Sequence, residues 1–191
     1  TPYILEPVGL RDDVILRAGF GLEPLQALIS GDLMGMEDFC IQWMDHRDEV
    51  LKLRELTSDL EGHPTPRLPF VDVSTGSLGQ GLAAGVGIAL NARRIESDYR
   101  TYVLMGDGES AEGSVWEAAQ VAAYHHLDNL CAMTDVNGYG QSRATQWERD
   151  TEAFASRWRA FGWHVISIDG HDVAQILAAF AEARRTTGRP T

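Results

Sequence analysis

Two short apolar runs, each closed by a turn that carries an oxygen-bearing side chain, limit what this chain can fold into more than any other feature. Tyr102-Val103-Leu104-Met105 runs into Gly106-Asp107-Gly108. Leu130-Cys131-Ala132-Met133 runs into a loop holding Asn137, thirty residues after Asp107. Between them, SVWEAAQVAAYHHL sets small and apolar residues at helical spacing. The order is strand, tight turn, helix, strand, loop. A right-handed crossover of this kind lays the two strands parallel in one sheet. Asp107 and Asn137 then emerge at the carboxyl ends of their strands, where open α/β sheets bind ligands.

The chemistry of the pair is specific. A carboxylate and an amide oxygen are hard donors, suited to Mg²⁺ or Ca²⁺ rather than zinc. Mg²⁺ takes few protein ligands and completes its shell with water and phosphate oxygens. Gly106 and Gly108 permit unusual backbone angles and close approach of a ligand to the main chain. The helix that follows turns N–H groups and a positive dipole end toward an anion. Together these features describe a site for a metal-bound diphosphate. The plainer alternative is a strand-end turn with an acid near a helix start.

The segment resembles the thiamine diphosphate-binding motif, which opens on Gly-Asp-Gly and closes on an Asn about thirty residues later. Its nearest likeness is to the transketolase family. GDGESAEGSVWEA, LDNLCAMTDVNGYGQS, FGWHVISIDGH, LEGHP (60–64) and DVSTGSLGQGLAAGVGIAL (72–90) look like five of that family's characteristic runs, in order, over residues 50–191. The resemblance implies a three-layer thiamine diphosphate-binding fold, a mainly parallel sheet flanked by helices. It implies that the metal is held by Asp107, by the Asn137 side-chain oxygen and by the backbone carbonyl of Tyr139. Gly108 would meet the diphosphate through its N–H. Gly76, Ser77 and Leu78 would touch the thiamine rings, and Asn137 would also touch a phosphate. His63, in Gly-His-Pro, matches an active-site His that contacts substrate, and Glu112 matches an acid near the subunit interface. The implied activity is transfer of a two-carbon ketol unit between sugar phosphates, as in the pentose phosphate pathway. The implied partner is a pyrimidine-binding domain or subunit, in a dimer or other homo- or hetero-oligomer.

At 191 residues, 44% of them hydrophobic, the chain has the material for one well-buried domain. A net charge of −12 argues against nucleic acid and anionic membranes as partners. It also requires a metal or aimed backbone dipoles wherever a diphosphate binds. Cys40 and Cys131 make no disulfide framework, so a cytoplasmic location is expected. No apolar run is long enough to span a membrane.

Residues 1–50 read as a poorly legible helical segment, with amphipathic helices over 22–29 and 36–44; residues 51–191 read as the diphosphate-binding domain. Helix is expected over about 47–60, then an extended loop forced by Pro64, Pro66 and Pro69. A short extended run follows at 70–74, and a buried helix over 78–94 whose glycines permit close packing. Residues 147–159 read as helix, 163–168 as strand and 172–185 as helix, with Asp172 and Gln175 as a capping box. His125 and His126 read as helix residues, and Glu109 as an acid favoured by the start of the helix after Gly-Asp-Gly.

The chain departs from the family pattern in three ways. An early Gly-His-Pro has no counterpart. The later Ser-Lys-Gly-His has Arg17-Ala18-Gly19-Phe20 as its best match, with Phe20 where the His belongs. The family also continues for several times this length, and its next core strand would begin where Thr191 stands. Three possibilities stay open: a fragment, a split-gene subunit, or a degenerate non-catalytic homologue that serves for binding. So does the E1-like component of a 2-oxo acid dehydrogenase, although Gly-His-Pro and Thr75 through Gly81 favour transketolase.

Overall fold

A computed structural model describes residues 14–17 as backbone, and residues 52, 54–58, 63, 66–67 and 73–191 in full. The helices expected over 22–29 and 36–44 lie outside the described residues, as do Cys40 and Phe20. The chain forms two compact units, one of residues 1–11 and 21–76, the other of residues 12–20 and 77–191.

The second unit is built on a parallel sheet in the order β1 (Val14–Arg17), β2 (Thr101–Gly106), β3 (Leu130–Asp135). Gly106 of β2 pairs with Asp135 of β3, so the two strands end level. The expected parallel pair is therefore present, with Asp107 and Asn137 just beyond its carboxyl end. β2 is the central strand, and Thr101, Tyr102, Val103 and Met105 are all buried. Burial on both faces is what a central parallel strand requires, and its β-branched and aromatic residues suit a pleated surface.

At residues 14–17, β1 departs from the helical reading of residues 1–50. Val-Ile-Leu-Arg is too short a run to declare a period, and its pairing with β2 is a long-range contact that no local signal announces.

The helices among the described residues are α1 (Gln80–Arg94), α2 (Gly113–Tyr124), α3 (Thr151–Ala160) and α4 (Val173–Arg185). α1 packs against β2, β3 and α2. It buries Gly81, Leu82, Gly85, Val86, Ala89 and Ala92. Gly87 is exposed with open space where a Cβ would stand, so close packing explains Gly81 and Gly85 but not Gly87 within this chain. α4 covers the face of the sheet that carries Tyr102 and Cys131. There the Phe180 ring meets Tyr102 edge to face at 5.9 Å, and Ala183 fills beside them. Asp172 caps α4 by accepting the N–H groups of Ala174 and Gln175, one half of the expected capping box; the other half is absent, because the Gln175 side-chain oxygen accepts the Asp169 N–H and the Asp172 N–H goes to Asp169 O. Asp150 caps α3 through the Ala153 N–H, which starts that helix four residues later than expected.

Three local expectations fail. Residues 52 and 54–58 form tight turns, Glu55 N–H to Lys52 O and Ser58 N–H to Glu55 O, with Arg54 at φ 66°, so the helix over 47–60 does not run through them. His125 and His126 lie past the end of α2, both exposed, with His126 at φ 54°. Residues 163–168 form no ladder with the described residues; His164 donates its N–H to Pro190 O at 2.9 Å. Thr191 in turn bonds both Leu130 O and the Ala132 N–H along β3. The run at 163–168 thus lies beside Pro190, whose neighbour Thr191 pairs with β3.

Candidate functional site

The end of β2 delivers Asp107 into a four-residue 3₁₀ turn, Gly108–Ala111, before α2 begins at Gly113. The α-helix expected directly after Gly-Asp-Gly is therefore offset by this turn. Trp116 pins the turn by donating its ring N–H to Ser110 O at 2.8 Å.

Asp107 is 3% exposed and accepts three hydrogen bonds. Its Oδ1 takes the Gly108 N–H at 2.9 Å, and its Oδ2 takes the Gly138 N–H and the Thr145 hydroxyl, both at 2.9 Å. A carboxylate has about four acceptor sites, so one remains, on Oδ1. Asn137 Oδ1 accepts the Tyr139 N–H at 2.8 Å and its amide nitrogen donates to Asp135 at 3.0 Å. That leaves the Asn137 oxygen one further lone pair. The Tyr139 carbonyl takes no part in the hydrogen bonds of the bridge between Tyr139 and Ala144, which run from Gly140 N–H to Arg143 O and from Thr145 N–H to Gly138 O. It lies 3.9 Å from where a Cβ on Gly108 would stand.

Three oxygens, one anionic and two neutral, thus belong to two adjoining turns, each with acceptor capacity left. This donor set fits Mg²⁺ or Ca²⁺. Among the described residues no group of three or more His, Cys, Asp or Glu is placed to hold a metal, so a zinc-type cluster is not the alternative there. A cavity of about 260 Å³ opens beside the turns, lined by Asp107, Gly108, Ala111, Gly140, Arg143 and Thr145 among others.

Of the residues singled out from sequence, Asp107, Gly108, Asn137 and Tyr139 are gathered here. The Gly108 N–H is engaged by Asp107. The Tyr139 side chain is 72% exposed, consistent with a role for its backbone only. Glu112 is exposed at the N-cap of α2 and makes no side-chain cap. Ser77 and Leu78 are exposed and lead into Gly79, which is buried. In the other unit, the His63 ring packs over Gly76 so closely that a Cβ there would stand 2.6 Å from the ring. Gly76 also has φ 115°, a conformation that favours glycine.

Three contributors escaped the sequence reading. Gly138, at φ 81°, gives Asp107 its buried N–H; the Asn137-Gly138 dipeptide was its signal. Thr145 reaches Asp107 across 38 residues with no signal at all. Glu109 is no surface acid at a helix start: it is 2% exposed and accepts the Gly79 N–H at 2.7 Å. Burial raises its carboxyl above the ordinary value, while the N–H groups of Gly79 and Gly106 pull the other way and Glu112 adds to the rise.

The fold and the site define an α/β protein with an oxygen-donor site at the carboxyl ends of its strands. The chain belongs to the transketolase family: residues 10–191 match the model of the transketolase thiamine diphosphate binding domain. It is 51% identical over 144 residues to "Transketolase-like protein 2" of Mus musculus, covering 75% of this chain and 23% of that protein. It is 44% identical over 144 residues to a protein of Phocaeicola vulgatus named as one subunit of an apulose-4-phosphate transketolase, covering 75% of this chain and 51% of that one. The transketolase structure from Campylobacter jejuni superimposes with a TM-score of 0.76 at 29% identity, over 99% of this chain and 30% of its own. The chain spans roughly a quarter of the length of the first of these relatives.

Proposed function

We propose that this chain supplies the diphosphate and metal half of a thiamine diphosphate site for transfer of a two-carbon ketol unit between sugar phosphates. The observation that carries this reading is the meeting of Asp107 with the Asn137–Tyr139 turn at the level ends of β2 and β3. Asp107, the Asn137 side-chain oxygen and the Tyr139 carbonyl would hold Mg²⁺ or Ca²⁺, which offsets the repulsion between a diphosphate and a chain of net charge −12. A cavity of about 260 Å³ lies beside them. When bound, thiamine diphosphate supplies the nucleophilic carbon that carries the two-carbon unit. The chain's own residues position it: Gly138 and Thr145 orient the Asp107 carboxylate, and His63 offers a hydrogen bond or a proton to the substrate near neutral pH. A pyrimidine-binding domain or partner subunit would complete the site in an oligomer. A half-site read this way agrees with a relative that is itself named as one subunit of an enzyme.

Calorimetry on the chain with thiamine diphosphate and Mg²⁺ tests this. Asp107→Asn keeps the shape of the side chain and removes the anionic ligand, so metal-dependent binding should vanish. Undiminished affinity would sink the assignment. Product formation from a ketose and aldose phosphate pair should appear only when a pyrimidine-binding subunit is added. Turnover at ordinary enzyme rates of about 1–10³ s⁻¹ by this polypeptide alone refutes the half-site. Cofactor binding with no turnover in any assembly favours the non-catalytic homologue.

A further inference from the structure

Glu109 is a buried acid whose placement the metal site does not explain. Its Oε1 accepts the Gly79 N–H at 2.7 Å, a bond out of contact with water. Its Oε2 is buried and makes no hydrogen bond among the described residues. A buried carboxyl with one oxygen unsatisfied costs stability, and an apolar side chain of the same length would avoid that cost. What Glu supplies there, and an apolar residue cannot, is an acceptor for Gly79.

Gly79 is held from both sides. Its N–H goes to Glu109, and its carbonyl accepts the Ser114 hydroxyl at 3.1 Å. Its backbone sits at φ 90°, and a Cβ there would collide with Ser114 Oγ and lie 2.9 Å from Glu112 Cβ. The turn that ends at Gly79 is thus clamped onto the segment from Asp107 to Ser114 by two hydrogen bonds and a contact with no room for one more carbon. Asp107, two residues before Glu109, is itself tied to Gly138 and Thr145. Hydrogen bonds on either side of the two-residue backbone step from Asp107 to Glu109 thus link Gly79 to the metal-site turns.

We infer that Glu109 is a positioning residue that latches the Ser77–Gly79 turn to the Asp107 loop, and so fixes the ring-contacting turn relative to the diphosphate end of the cofactor. The inference rests on the reading given under Proposed function. Glu109 touches neither the metal nor the phosphate; it acts through Gly79. Preorganisation of this kind shows in affinity, because a turn already in place loses little freedom when the cofactor binds.

The experiment uses the full chain, with Glu109→Met as nearly isosteric and lacking the acceptor, and Glu109→Gln as the conservative variant that retains one. Amide hydrogen exchange without ligand reads the latch directly. Gly79 should exchange ten-fold faster or more in Glu109→Met and near the wild-type rate in Glu109→Gln, since a lost buried hydrogen bond is worth about one decade or more. Binding is then measured for two probes, thiamine diphosphate and inorganic pyrophosphate, each with Mg²⁺. Glu109→Met should weaken thiamine diphosphate about ten-fold and leave pyrophosphate within about two-fold, because pyrophosphate does not use the ring-contacting turn. Should Glu109→Met fail to fold, Ser114→Ala releases the other side of Gly79 and is held to the same two comparisons. Unchanged exchange at Gly79 overturns the latch. Equal weakening of both probes overturns the positioning role and makes Glu109 a general support. A wild-type chain that binds neither probe overturns the positioning role together with the half-site reading beneath it, and exchange still decides the latch.

Discussion

Removing the Asp107 carboxylate should destabilise the fold even when no metal or cofactor is present. The side chain is 3% exposed and takes two backbone N–H groups and one hydroxyl, each at 2.9 Å. In Asp107→Ala the Thr145 hydroxyl can turn toward another acceptor, but the two N–H groups are fixed by the backbone. The Gly138 bond is buried, and the Gly108 bond is partly open to water. Hydrogen bonds to a charged group contribute about 1.5–3 kcal/mol each. Counting the Gly138 bond in full and the other two at a fraction gives a loss of about 3 kcal/mol. Against a typical total stability of about 5–15 kcal/mol, that is a large share. Urea unfolding of the metal-free chain, followed by tryptophan fluorescence, reads it. With a slope of about 1–3 kcal/mol per molar, the midpoint should fall by roughly 1 M or more at unchanged slope. A midpoint within error of wild type would show that the carboxylate does not organise the two turns, and would remove the structural part of the argument for the site. Thr145→Val should cost about 1 kcal/mol in the same assay.

Gly79→Ala should destabilise by more than about 1 kcal/mol, through its positive φ and its collision with Ser114, whereas Gly87→Ala should stabilise by about 0.5–1 kcal/mol, because Gly87 lies inside α1 with open space around it; thermal melts of the two variants decide between them. Asp128 has its carboxyl lowered: burial pushes it up, but the Gly188 N–H, Arg93 and Arg100 outweigh that. Its contribution is therefore present above the ordinary carboxyl value of 3.8 and lost as pH falls through the lower folded value, so the melting difference between wild type and Asp128→Asn should shrink in acid, from no more than about 1 kcal/mol at this exposure. His63→Ala, assayed in an active assembly, should lower turnover or raise the substrate KM by about 10²–10⁴-fold while cofactor affinity holds; unchanged kinetics would return His63 to an ordinary loop residue.

What could be read from the sequence divides along the range of the interactions involved. β2, β3 and the helix between them were legible because each is defined by its own residues, and the right-handed crossover rule joins them. Asp107 and Asn137 follow from that unit, since each stands just past a strand end. β1 was not legible: its identity as a strand lies in pairing with β2, more than eighty residues away. The run at 163–168, Trp-His-Val-Ile-Ser-Ile, has a strand's composition, and its contact too is distant in sequence: His164 donates its N–H to Pro190 O. The site has the same division. Asp107 was found by its flanking glycines, but Thr145 and Glu109 were not, because a Thr in a polar loop and a Glu two residues into a turn look like solvent-facing residues. Their roles come from segments 30 to 38 residues distant: the Gly79 N–H reaches the buried Glu109, and Thr145 reaches Asp107. Even Gly79, one glycine among several, owes its constraint to Ser114 and Glu112 standing where its Cβ would be. Local chemistry therefore names the group that could touch a ligand, while the groups that hold it in place emerge only once the chain is folded.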